Sequence, residues 1–189
     1  MAEAPEMAPD FKGTALIRTE APGGMILLRG EMGGALAEAA KRLGVKMPGP
    51  LQAQLKDGAG LLWMSPDELL MLCPAADMPG HLEALQAGFA GQHAMALDVS
   101  DMRARFSVEG PLAREVLAKL SPLDLSPEGF GHGTIRRTRL GQVAGAIWMT
   151  GPERFEVICF RSVGQYVRDL LEAAALPGSE VHLFTQPAG

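Results

Sequence analysis

Cysteine is scarce in this sequence: 189 residues carry two, Cys73 and Cys159. Two cysteines make no disulfide framework, and a chain of this length buries enough surface to fold without one. Both sit in apolar runs, LLMLCP and FEVICF, which reads as buried thiols in a reducing compartment. Basic charge is also short. Lys and Arg number 17 against 22 Asp and Glu, a net charge of −5. That argues against a nucleic-acid partner, because phosphate recognition needs a cationic surplus. The densest basic run, Arg136, Arg137 and Arg139, is too small to make such a face. Long apolar runs are missing too, since none approaches the ~20 residues that cross a bilayer. The opening MAEAPEMAPDF carries Glu3, Glu6 and Asp10 where an export peptide would be basic and then apolar. The expectation is a cytoplasmic protein with neither nucleic acid nor membrane as partner.

Motifs that carry chemistry are equally absent. The four histidines, His81, His93, His132 and His182, show no ligand spacing and have no cysteine close by in sequence. The Gly129-x-Gly131-x-Gly133 run lacks the Lys-Ser/Thr of a phosphate loop and the spacing of a dinucleotide fingerprint. There is no GxSxG elbow. Asp98, Asp101 and Asp124 lie near expected strand ends, where carboxylates either serve sites or cap turns. Arg103 and Arg105 share a strand face by alternation, able to grip an anionic group or to pair internally. No catalytic, cofactor-binding or metal residue is assigned from the sequence.

What the sequence does have is order, repeated. Apolar residues make up 47% of it and charged residues 21%, an ordinary globular balance. Residues 1–24 read as an extended arm, rich in Ala, Pro, Gly and Glu. Periodicity then predicts a strand at 25–29, a helix at 33–43 stopped by Gly44, and a strand around Leu51–Leu55 turned by Asp57-Gly58. Strands at 61–64 and 69–72 and a helix at 79–89 complete a β-α-β-β-β-α series. After a connecting strand at 94–99 the series recurs: strand 105–109, a helix opened by Gly110-Pro111, and strands 134–140, 143–149 and 154–160. A final helix follows, with Ser162-Val-Gly-Gln165 as a capping box and Val163, Tyr166, Val167, Leu170 and Ala174 buried. Setting Leu55–Leu70 against Leu140–Phe155 gives six identities in sixteen positions, including Trp63/Trp148 and Gly60/Gly145, where composition would give about one. The two tryptophans read as matching core anchors. The offset is 85 there and 80 at Arg29-Gly30 against Glu109-Gly110, which places five extra residues around Gly129–Gly133.

The fold class expected is α+β: two pseudo-symmetric β-α-β-β-β-α halves with mainly antiparallel sheets and helices packed on them. The division drawn is an arm at 1–24, a first repeat at 25–93, a second at 94–176 and a tail at 177–189.

Particular stretches point further. Leu97-Asp-Val-Ser-Asp-Met-Arg-Ala-Arg-Phe106, Gly110-Pro-Leu-Ala-Arg-Glu-Val-Leu-Ala-Lys119 and Ser121-Pro-Leu-Asp-Leu125 resemble the gamma subunit of heterotetrameric sarcosine oxidase. Gly133-Thr134, Thr138-Arg-Leu-Gly141, the Glu156–Tyr166 segment and Trp63-Met-Ser-Pro-Asp-Glu-Leu-Leu70 continue the likeness, which runs from about residue 25 to 175. The resemblance implies a subunit without catalytic residues in a complex that oxidises sarcosine to glycine. That complex makes peroxide and can pass the one-carbon unit to tetrahydrofolate. FAD, FMN and NAD would belong to larger alpha and beta subunits and zinc to a small delta subunit. The implied fold is similar to the folate-binding domain of glycine-cleavage aminomethyltransferase. Two other readings stand beside it: a free-standing folate-binding one-carbon protein, or an interaction module of another complex. The chain has about half the length expected of the aminomethyltransferase and lacks the Lys-Gly-Cys motif of related iron–sulfur repair proteins.

Overall fold

The computed structural model of the chain describes residues 8–184. The first seven residues of the arm and the last five of the tail lie outside them. The chain divides into two compact units. The first-repeat unit comprises Pro22–Arg103 with Gly133–Arg137; the second-repeat unit comprises residues up to Ala21, Ala104–His132, and Thr138 onward.

The first-repeat unit holds β3 (Gly24–Arg29), α1 (Ala35–Leu43), β4 (Ala53–Lys56), β5 (Ala59–Ser65), β6 (Glu68–Cys73), α2 (Met78–Phe89) and β7 (Met95–Asp98). Its antiparallel sheet runs β4-β5-β6-β3-β7. Sequence explains the local choices. Leu36, Ala39 and Ala40 fall on one helical stripe and are buried. Gly44 ends α1 in the left-handed conformation, φ 66°, its N–H returned to the carbonyls of Ala40 and Lys41. Asp57 and Gly58 both take positive φ, 53° and 80°, as a two-residue hairpin requires. The core lies between helices and sheet: Ile26, Leu28, Leu36, Leu61, Leu69, Met71, Leu85 and Phe89, with Trp63 half-buried against it.

The second-repeat unit begins with β1 (Phe11–Lys12) and β2 (Leu16–Thr19). It continues with β8 (Arg103–Glu109, from Ala104 on), α3 (Ala113–Ala118), β9 (Ile135–Leu140, from Thr138 on), β10 (Val143–Gly151), β11 (Arg154–Phe160) and α4 (Gly164–Ala174). Its sheet runs β1-β2-β8-β11-β10-β9. The core is again on the helix side: Ile17, Phe106, Val108, Val116, Leu117, Ile147, Phe155, Val157, Val167 and Leu171. Four strands keep one order in both sheets, β4-β5-β6-β3 and β9-β10-β11-β8, as duplication demands.

The fifth strand of each sheet comes from the other repeat. β2 runs directly into β3, yet pairs with β8, Ile17 against Val108 and Thr19 against Phe106. β7 runs directly into β8, yet pairs with β3, Leu27 against Leu97. Each repeat therefore opens with one more strand than its periodicity shows, and the two leading strands are exchanged. Residues 11–19, read from the sequence as part of an extended arm, form β1 and β2. The signal is thin there, resting on Ala15 and Ile17, which are alternate and buried.

Two sequence expectations fail in detail. Ser162 and Gln165 form no capping box: α4 starts without a side-chain cap, behind a 3-10 turn at Arg161–Val163. The Gln165 amide instead donates to Asp169 Oδ1 at 2.7 Å. The helix phase shifts accordingly, so Arg168 and Leu171 turn inward while Tyr166 is exposed. The tryptophans are also not equivalent anchors. Trp63 lies opposite Leu69 on the helix side of its sheet. Trp148 lies opposite Glu156 on the other side. β10 has nine residues where β5 has seven, so the offset reaches 86 at the strand ends. A one-residue slip turns every side chain to the opposite face. In the true register Leu69, Met71 and Cys73 match Phe155, Val157 and Cys159, all in the cores.

Candidate functional site

The residues singled out in the sequence do not converge. Asp98 Oδ1 accepts the N–H and hydroxyl of Ser100, at 2.9 and 2.6 Å. Asp124 Oδ1 accepts the N–H of Ser126 at 3.0 Å, and the bonds from Ser126 hold its carboxyl below the usual range. Both carboxylates cap turns. Asp101 is exposed, as are His93, His132 and His182, while His81 is half-buried on α2. His132 bonds the Thr150 carbonyl at 3.1 Å. Among the described residues no three His, Cys, Asp or Glu side chains are placed to hold a metal ion. The glycine loop is anchored. Phe130 is buried beside Phe155, and Arg114, stacked on the Phe155 ring, donates to the carbonyls of Leu125 and Phe130.

Arg105 enters a cluster that sequence reasoning missed. On the sheet face away from the helices, Arg154 donates to Glu109 at 2.6 Å, Glu156 at 2.9 Å and Glu20 at 3.0 Å. Arg18 reaches Glu109 at 2.8 Å and Asp10 at 3.0 Å. Arg105 stands 3.7 Å from Glu20 and 3.6 Å from Glu156. Burial pushes the Glu156 carboxyl up, more than Arg154 and Arg105 pull it down. Burial works against the Arg154 charge, but Glu156, Glu109 and Glu20 outweigh it and raise its pKa. Each carboxylate of the cluster faces at least one arginine, although Arg105 Nε and Glu156 Oε2, 3.6 Å apart, are buried without a hydrogen bond; this is a structural ion network and not a poised acid–base pair. Its trace in the sequence is alternation: Arg105-x-Ser107-x-Glu109 and Arg154-x-Glu156.

The duplication does produce one matched feature at the surface. In the first-repeat unit, Gly30 N–H bonds the Asp67 carbonyl at 3.0 Å, where β3 ends beside the β5–β6 turn. In the second-repeat unit, Gly110 N–H bonds the Glu153 carbonyl at 2.9 Å, where β8 ends beside the β10–β11 turn. A cleft opens at each corner. The first, 890 Å³, is lined by Arg29, Glu31, Asp67, Gln92, His93 and Met95 among others. The second, 420 Å³, is lined by Leu16, Glu109, Pro152, Glu153 and Arg154 among others. Both are open and mixed in polarity, without the converging polar groups of a small-molecule site.

Fold and polar inventory thus define a class: a duplicated α+β chain with helices over antiparallel sheets, whose charged clusters are paired internally. Comparison with known proteins narrows it. The family described as sarcosine oxidase, gamma subunit family matches residues 30–176. The sarcosine oxidase subunit gamma of Corynebacterium sp. (strain U-96) is 32% identical over 137 residues, 71% of this chain and 65% of that protein. Its Arthrobacter sp counterpart is 32% identical over 136 residues, 71% and 66%. These matches span just under two thirds of the relatives' length. The heterotetrameric sarcosine oxidase from Corynebacterium sp. U-96, solved with pyrrole 2-carboxylate, contains a chain that superposes with TM-score 0.81 at 27% identity. That superposition covers 88% of this chain and 87% of that one. The glycine cleavage system aminomethyltransferase T of Bartonella henselae shares the fold alone, with TM-score 0.56, 15% identity, and coverage of 82% and 44%. The chain belongs to the sarcosine oxidase gamma subunit family.

Proposed function

We propose that this chain is the gamma-type subunit of a heterotetrameric flavoenzyme that oxidises sarcosine to glycine. Peroxide formation and one-carbon transfer to tetrahydrofolate would be performed by the whole assembly. The observation that carries the reading is the family match over residues 30–176 together with the TM-score of 0.81 to a chain of such a complex. FAD, FMN, NAD and zinc would sit on the larger alpha and beta subunits and the small delta subunit. The chain contributes surface and rigidity and no catalytic group of its own, in the cytoplasm. Among the described residues, no helix is long and apolar enough to cross a membrane.

The contact surface would draw on exposed apolar side chains, which are costly to leave in water on a fixed backbone. Leu176, Val181 and Leu183 qualify, at 50%, 60% and 60% exposure. The test is co-expression of the chain with its neighbouring genes. Co-purification of a yellow complex active on sarcosine is expected, with the isolated chain colourless and inactive. Bound flavin and peroxide production by this chain alone would overturn the reading, as would failure to recover any flavoprotein. Calorimetric titration of the isolated chain with tetrahydrofolate is expected to be flat; micromolar binding would favour a free-standing folate protein instead.

A further inference from the structure

The ion pairs at the matched corners have opposite polarity. In the first-repeat unit Arg29, the last residue of β3, lies opposite Glu68, the first of β6, with 3.8 Å between the charges. Arg29 also reaches Asp67 at 2.8 Å. In the second-repeat unit the last residue of β8 is Glu109 and the first of β11 is Arg154, 2.6 Å apart. The glycines that follow, Gly30 and Gly110, make the same bond to the same turn, so the positions correspond one to one.

We propose that this reversal is a pairing code that keeps the strands of one repeat from docking into the sheet of the other during folding. The need for it is built into the topology. β3 and β8 have the same neighbours in the same order, and β2 and β7 are already exchanged between repeats. If β3 took the place of β8, Arg29 would meet Arg154. If β8 took the place of β3, Glu109 would meet Glu68. Like charges directly opposite disfavour a strand pair, and opposite charges favour it.

The leading strand β2 reads the same code. Arg18 binds Glu109 at 2.8 Å in its native place beside β8. The competing arrangement is local: β2 folding back on β3 in the register that β7 uses. Leu16 would then lie opposite Arg29, and Pro22-Gly23 would form a two-residue loop. Such a hairpin closes early, because its contacts are close in sequence. It would place Arg18 diagonally beside Arg29 instead of Glu109, repulsion where the native pairing has attraction. The charge at position 29 therefore rejects the local hairpin, and the charge at 109 accepts the distant strand.

The test exchanges the polarity of the exposed pair alone. Three chains are compared, all carrying D67N so that no acidic neighbour confounds the exchange: D67N itself, D67N/R29E/E68R, and D67N/R29Q/E68Q. Refolding from urea is followed by tryptophan fluorescence, and the equilibrium urea midpoint is measured in parallel. The charge-exchanged chain is expected to keep the midpoint of the D67N reference. It should refold at least about threefold more slowly, or lose refolding yield, because the carboxylate introduced at position 29 now attracts Arg18 and Arg154. The neutral chain is expected to refold at a rate between the two, because it loses the repulsion of Arg18 and gains no attraction. Equal refolding of all three chains would overturn the proposal. So would equal slowing of the neutral and exchanged chains, or a midpoint loss confined to the exchanged chain, either of which makes the pair a native-state contact only.

Discussion

The Glu115 carboxylate on α3 accepts the backbone N–H of Val181 at 2.5 Å and that of Leu183 at 3.3 Å. It does so while only 2% exposed. One turn on, Lys119 donates to the carbonyls of Ala174 and Ser179, at 2.9 and 2.6 Å. The pair clamps the segment after α4 and fixes the side chains of Val181 and Leu183 pointing to solvent. Replacing Glu115 with Gln removes one acceptor and sets an amide N–H against a backbone N–H. The expected cost is about 1–3 kcal/mol, the penalty for unsatisfied buried donors. The urea midpoint and the hydrogen exchange of the Val181 and Leu183 amides read it. Unchanged exchange in E115Q would mean that the clamp does not hold the tail.

How much of this was legible beforehand follows from where the signals lie. The β-α-β-β-β-α order, the Gly44 stop and the Asp57-Gly58 turn are local and periodic, so they could be read directly. The exchange of β2 and β7 could not, because strand partners are set by long-range pairing and β2 has four residues. The Trp63/Trp148 match misled for a physical reason. Sequence identity runs along the chain, whereas sheet faces depend on parity, and the extra length of β10 reverses it. The charge cluster was half visible as alternating Arg and Glu. Its convergence needed β2, β8, β11 and the segment just after β2 to be brought into one sheet.

Arg154 and Arg29 occupy matched corners and are similarly exposed, at 40% and 50%, but the carboxylates that they meet differ in burial, so their removal should differ sharply. Arg154 neutralises Glu156, which is 6% exposed, as well as Glu109 and Glu20. Arg154→Ala leaves a buried carboxylate short of its main partner, a change that costs about 3–5 kcal/mol. Arg29→Ala removes a pair half open to water, and such pairs contribute little. Urea unfolding should show a large midpoint loss for R154A and none resolvable for R29A. Equal losses would show that the cluster adds nothing beyond an ordinary surface bridge.

Glycine substitutions separate backbone need from backbone tolerance. Gly60, the second residue of β5, has φ 143°, and a Cβ there would stand 2.1 Å from the Gln54 carbonyl oxygen on β4. Gly80 lies inside α2 with nothing within 4 Å of a Cβ. Gly60→Ala is expected to destabilise by roughly 3 kcal/mol or more. Gly80→Ala is expected to stabilise by about 0.5–1 kcal/mol, as helix propensity and the unfolded chain's entropy both favour alanine. Thermal melts of the two variants should move in opposite directions from the wild type; a melt of G60A at or above wild type would contradict the close approach.

The buried carboxylates of Glu115 and Glu156 should pull the pH dependence of stability in opposite directions. For Glu115 burial favours the neutral acid, but the backbone N–H bonds from Val181 and Leu183 and the charge of Lys119 prevail, so its folded pKa is lowered. A depressed folded pKa gives stability that is present above the ordinary glutamate value near ~4.3 and lost as pH falls through the folded one. For Glu156 burial prevails and the folded pKa is raised. Between that raised value and the unfolded one the folded state binds the proton more readily, so stability falls as pH rises through this window. Relative to Glu156→Gln, the wild type should therefore gain stability as pH falls through the raised Glu156 value toward the unfolded glutamate value. Relative to Glu115→Gln it should lose stability only at lower pH, below the unfolded glutamate value. Urea midpoints of the three chains at half-unit pH steps check both slopes. A wild-type stability relative to E156Q that falls as pH is lowered toward the unfolded glutamate value would reverse the sign assigned to Glu156, and would mean that Arg154 and Arg105 overcome its burial after all.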